Sequence, residues 1–171
     1  MVIAPRKLRI VKTGMGCLLF GMVLCMAESA LAQAAREETP PLVSIWAVQA
    51  TDESREEPHF DRGLEDIRST VSSLRYDTYR NIKFTRERMA IDSETRLRIN
   101  DRYTLYITPL AYENNGQVRL QLRMEMQPRD RDKDPVVVLQ SRQLLAPNRK
   151  MIIGGPRLEE GDLVIVLETQ R

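Results

Sequence analysis

The longest unbroken alternation of apolar and polar side chains lies at residues 117–127. Val118, Leu120, Leu122, Met124 and Met126 interleave there with Gln117, Arg119, Gln121, Arg123, Glu125 and Gln127. A period of two predicts a strand with one buried face and one wet face, the habit of antiparallel sheets. Asn114-Asn115-Gly116 just before it predicts a hairpin turn, because Asn and Gly tolerate positive φ. The same period recurs at Ile82 and Phe84, at Leu97 and Ile99, and at Tyr103, Leu105 and Ile107, with Asn100-Asp101 as a further turn signal. Leu42–Ala50, Val136–Leu139 and Met151–Ile153 read as additional strands. Leu163–Leu167 is apolar at five consecutive positions, which predicts a strand covered on both faces.

One segment has a different period. Phe60, Leu64, Ile67, Val71 and Leu74 recur at spacings of four and three, one face of a helix. Asp61, Glu65 and Asp66 precede Arg68 and Arg75, the order the helix dipole favours. The expectation is an α+β fold: a mainly antiparallel sheet or sandwich of about eight strands, with one amphipathic helix packed on it.

Residues 1–32 read differently from the rest. A basic stretch from Arg6 to Lys12 precedes an apolar run from Gly14 to Ala27, and Ala30-Leu31-Ala32 supplies the small residues a signal peptidase accepts. The apolar run is shorter than the roughly 20 residues needed to cross a membrane as a helix. The expected organisation is a signal peptide at 1–32, a Pro-containing disordered tether at 33–41 and a single domain at 42–171. Cleavage after Ala32, or after Ala34 at a second site, would release an exported chain, periplasmic or extracellular.

Charge follows the same division. The first 32 residues hold four basic groups and one acid, so residues 33–171 carry 22 basic and 23 acidic groups. The pI near 8.6 therefore belongs to the N-terminal segment and not to the domain. Both cysteines, Cys17 and Cys25, lie in that segment as well. The remainder thus has no disulfide framework, no zinc–cysteine site and no cysteine nucleophile, and it is not a globally basic nucleic-acid binder.

The usual catalytic patterns do not form. His59, the one histidine, follows Glu56 and Glu57 but has no second nitrogen ligand or cysteine to share a metal. Asp130, Asp132 and Asp134 alternate like the start of an EF-hand loop, yet Pro135 stands where Gly is needed and Ser141 where a bidentate Glu is needed. Gly154-Gly155-Pro156 lacks the Lys-Ser/Thr of a phosphate loop and reads as a turn of positive φ. No serine sits in Gly-x-Ser-x-Gly. No cofactor and no metal are expected.

The candidate site is a set of arginines. Arg119 and Arg123 lie on the wet face of the 117–127 strand, and Arg96 and Arg98 flank Leu97 in another. Strand phase predicts that all four project from one exposed surface, free to bind a carboxylate or phosphate through bidentate donors.

The run from Gln143 to Gly155, followed by the apolar 163–167, resembles a strand–Gly-Gly–strand element of secretins, the outer-membrane secretion pores. The pore-forming region has no counterpart here, so the resemblance extends to about 25 residues and does not make the chain a secretin. The order of elements also resembles small exported bacterial proteins, which implies export and no particular activity. The resulting expectation is a non-enzymatic cell-envelope module, an accessory or binding component of an envelope or secretion assembly. Its partner would be an envelope protein or an anionic envelope component, with no nucleic acid and with membrane contact only through the transient signal peptide. The alternative is an extracytoplasmic carrier for a small apolar or anionic ligand. A hydrolase using paired carboxylates ranks third, because its acids all lie in polar segments.

Overall fold

In a computed structural model, the described residues are 39–113, 115–130 and 132–170. The expectations placed on residues 1–38, the signal peptide and most of the tether, lie outside them. The chain divides into two units, Met1–Glu38 and Thr39–Arg171, and the described residues all belong to the second.

Among the described residues nine strands form two sheets: β1 (Leu42–Thr51), β2 (His59–Phe60), β3 (Thr78–Arg88), β4 (Thr95–Arg98), β5 (Tyr103–Tyr112), β6 (Val118–Met126), β7 (Val136–Leu145), β8 (Lys150–Arg157) and β9 (Asp162–Gln170). The first sheet has the order β2-β3-β1-β9-β8 and the second β4-β5-β6-β7. Every strand pair is antiparallel except the two-residue β2–β3 ladder. The fold of the described residues is β-rich, with one seven-residue helical segment.

The alternating residues meet between the sheets. Val43, Ile45 and Ala47 of β1 and Leu163, Ile165 and Leu167 of β9 pack with Leu97, Leu105, Ile107, Leu120, Leu122 and Met124 of the second sheet. β1 and β9 lie inside the first sheet, and their other face is apolar too, through Trp46, Val48, Ala50, Val164 and Val166. This explains the unbroken apolar run at 163–167, which is buried on both faces as its sequence predicts.

The 60–74 segment supplies the second layer, but not as one helix. Leu64, Ile67 and Val71 are fully buried on the outer face of the first sheet, with Phe60 and Leu74 packed beside them. Only Glu65–Ile67, a 3-10 turn, and α1 (Arg68–Val71) are helical, and Phe60 belongs to β2. Gly63 at φ +85° breaks the helical path, and no side chain caps the segment's start. Tyr79 locks the segment down: its hydroxyl donates to the Val71 carbonyl at 2.8 Å, and its ring stacks on Phe60 at 4.8 Å.

The turn signals behave as their chemistry predicts in two places. Gly116 takes φ +78° between β5 and β6, and the Asn100 side chain accepts hydrogen bonds from the backbone N–H groups of Arg102 and Tyr103 at 2.9 Å. The Gly154-Gly155-Pro156 turn is a correction. These residues lie within β8, and neither glycine has positive φ. Gly155 is required for a close approach instead, since a Cβ there would stand 2.9 Å from the Leu163 carbonyl oxygen. The last residues of the expected tether are also held. The carbonyls of Thr39, Pro40 and Pro41 accept from the Tyr112 hydroxyl, the Arg88 guanidinium and the Met89 N–H.

Candidate functional site

The outer face of the four-stranded sheet carries all four predicted arginines. Leu97 and the even-numbered residues Val118–Met124 turn inward, so Arg96, Arg98, Arg119 and Arg123 turn outward. Cross-strand register sharpens the arrangement. Arg96 pairs with Tyr106, and Tyr106 pairs with Arg123, which places one row Arg96–Tyr106–Arg123 across three strands. At about 4.8 Å per strand, the two arginines of that row start about 10 Å apart. Arg98 lies in the next row, opposite Thr104, which pairs with Glu125. Arg119 stands four residues along β6, about 13 Å from Arg123, beyond a register shift in β5.

The expectation that these arginines are free is corrected for three of the four. Arg98 pairs with Asp101 at 2.6 Å and Arg119 with Glu113 at 2.5 Å. Arg123 bonds Glu94 at 3.1 Å and also Glu125, and its guanidinium lies 4.1 Å from the centre of the Tyr106 ring. Two of these partners, Glu94 and Glu113, sit in turns flanking the strands, where short connections bring them back over the sheet. Arg96 differs from the others: it makes no ion pair or hydrogen bond with any described residue. The site therefore reduces to Arg96 beside a fixed platform of Tyr106 and Arg123.

Tyr106 is the residue that the arginine pattern misses. Its signal is its phase, since it shares the outward positions of β5 with Thr104 and Thr108 and brings the one aromatic ring there. Burial raises its hydroxyl pKa above the usual tyrosine value, and its hydrogen bond to Glu125 adds to the shift. The carboxylates of Glu94 and Glu125 hold the Arg123 guanidinium charged more firmly than usual, the Glu94 hydrogen bond contributing most. The platform is thus a fixed cation on an aromatic face, with a second cation alongside.

Two other places bring polar groups together. His59 is exposed at the start of β2, 3.5 Å from Asp61. Among the described residues no cluster of three His, Cys, Asp or Glu side chains is arranged to hold a metal. A cleft of about 500 Å³ opens at one end of the sandwich, where Gln49, Ile82, Arg102, Tyr103 and Leu158 meet. Arg102 Nε is buried there without a hydrogen-bond partner among the described residues, while its guanidinium donates to the Met126 sulfur at 3.4 Å and lies 5.9 Å from the centre of the Tyr103 ring. Asp101, Glu159 and Glu160 also border the cleft, which makes it a poor seat for an anion.

The chain matches no known protein family, no curated protein and no solved structure.

Proposed function

We propose that the chain is an exported, non-enzymatic module of the cell envelope that binds an acidic partner through the outer face of its four-stranded sheet. One observation carries the binding half of this reading: Arg96, unpaired among the described residues, beside the Tyr106–Arg123 platform. A guanidinium without a carboxylate partner retains its bidentate capacity for an incoming carboxylate or phosphate. The face carries five arginines (Arg96, Arg98, Arg119, Arg123 and Arg142) against four acids (Glu94, Asp101, Glu113 and Glu125), and these acids pair with Arg98, Arg119 and Arg123, which leaves Arg96 and Arg142 exposed without carboxylate partners among the described residues. Those two exposed cations attract acidic groups before contact is made.

The export half rests on the sequence of residues 1–32. No helix among the described residues is long and apolar enough to cross a membrane.

Each half has its own experiment. Intact mass of the protein recovered from outside the cytoplasm should place its first residue at Gln33 or Ala35; a product starting at Met1, or one lipidated at Cys25, would refute export by this signal. For binding, the purified chain should be retained on immobilised polyglutamate at low salt and released as salt rises. Retention unaffected by Arg96→Glu would refute the site.

A further inference from the structure

We propose that the open edge of β7 is a strand-addition site for an extended segment of a partner protein whose side chains alternate between apolar and acidic. The inference goes beyond the arginine row, because it stands on the open edge of the sheet and its main-chain groups, and it draws on the arginine face for charge preference alone.

An open edge presents unpaired N–H and C=O groups, and proteins ordinarily blunt such edges with shortness, charge, proline or irregular register. The other edges in this sandwich are blunted in these ways. β2 has two residues and β4 has four, two of them arginines. The part of β3 beyond β2 carries Arg80, Lys83, Arg86, Glu87 and Arg88, and the part of β5 beyond β4 contains Pro109. β8 contains Gly154-Gly155-Pro156 and a register break.

β7 has little of this protection. It is ten residues long, lacks proline, has Arg142 as its one charged residue and, among the described residues, pairs only with β6. Among the described residues five large apolar side chains are more than a third exposed, and four of them lie on β7: Val136, Val137, Val138 and Leu144. A bulge at Val138 sets the three valines apart and leaves Leu139–Leu145 in regular register with β6. A strand laid along that stretch would gain main-chain hydrogen bonds and cover Leu144, and its register would be read by alternate side chains.

Charge selects the occupant. Arg142 is exposed at the middle of the regular stretch, with Arg119 and Arg123 on the neighbouring strand of the same face. A second copy of this chain would bring the same basic face alongside, whereas an acidic residue opposite Arg142 forms a cross-strand pair of opposite sign. Apolar residues on either side of that acid turn to the opposite face, beside Leu139 and Leu145 at the edge of the core.

The test uses the whole purified chain and a synthetic peptide of about ten residues, the length of β7, alternating valine and glutamate. Amide hydrogen exchange should slow at alternate residues of Val136–Leu145 when the peptide is present. Leu144→Glu, on the face of Arg142 and opposite a peptide glutamate, should weaken binding about fivefold while leaving the melting temperature nearly unchanged. Arg142→Glu should transfer the preference to a valine–lysine peptide, whereas Arg96→Glu should leave the β7 protection in place. Binding without protection at β7, equal affinity of the parent and Leu144→Glu, or a parent dimer whose β7 amides are protected without peptide would each overturn the proposal. The last would assign the edge to a second copy.

Discussion

The guanidinium of Arg123 lies over Tyr106, its central carbon 4.1 Å from the ring centre. Glu94 and Glu125 anchor the same guanidinium from two sides. The ring is therefore held by its neighbours on the wet face of the sheet, and the pair forms a preset surface beside Arg96. Truncating Tyr106 should loosen that surface more than removing its hydroxyl. Tyr106→Phe keeps the ring under Arg123 and should cost under about 1 kcal/mol, the worth of one partly exposed hydrogen bond. Tyr106→Ala loses the ring contact as well, so urea denaturation should rank the variants parent, Phe, Ala.

The buried stripe of the 60–74 segment gives a second prediction. Ile67 is fully buried among residues of the first sheet's outer layer. Ile67→Ala should cost about 2–5 kcal/mol through lost burial plus a cavity. Arg68→Ala removes a guanidinium 4.7 Å from the Phe60 ring centre and should cost about 0.5–1 kcal/mol. Equal midpoints for the two variants would show that the segment does not carry the second layer of the core.

Two neighbouring glycines should respond differently. A Cβ on Gly154 meets nothing within 4 Å, while one on Gly155 falls 2.9 Å from a backbone oxygen. Gly154→Ala should be close to neutral. Gly155→Ala should destabilise the protein measurably, because the β8 backbone must move away from Leu163. Thermal midpoints of the two variants decide this.

Acid stability should report on Asp77. Its carboxylate accepts hydrogen bonds from the N–H groups of Glu53 and Arg55 and from the Thr78 hydroxyl, and these hold its pKa down at about 2 against an ordinary 3.8. A depressed pKa in the folded state stabilises the fold above the unfolded value and loses that contribution as pH falls through the folded one. The stability gap between parent and Asp77→Asn should therefore be constant at neutral pH and shrink from about pH 4 down to about pH 2. A gap that does not vary with pH would refute the anchoring of the 52–58 loop by this charge.

The strands with one buried face were legible because their side chains report burial at period two, as at Val118–Met126. β7 was legible only to Leu139. Its remaining inward positions include Ser141 and Gln143, which are only partly buried at the sheet's edge, so no apolar signal marks them. The stripe from Phe60 to Leu74 was legible as a buried face but not as a backbone conformation. A chain that crosses a sheet in a strand, a 3-10 turn and one α-turn can present the same spacing as a continuous helix. The arginine face followed from strand phase. The partners of its arginines did not, because Glu94 and Glu113 lie in turns whose return over the sheet depends on tertiary geometry.

The measurement closest to the central claim is the salt dependence of polyglutamate affinity for the parent chain and for Arg96→Glu, taken by calorimetric titration. Exposed charges are screened over about 10 Å at 0.1 M salt, so affinity should fall steadily for the parent as salt rises. Arg96→Glu should bind at least about tenfold more weakly at low salt, with a flatter salt response and an unchanged melting temperature. Equal affinity and equal salt dependence in the two proteins would contradict the assignment of this face as a binding surface.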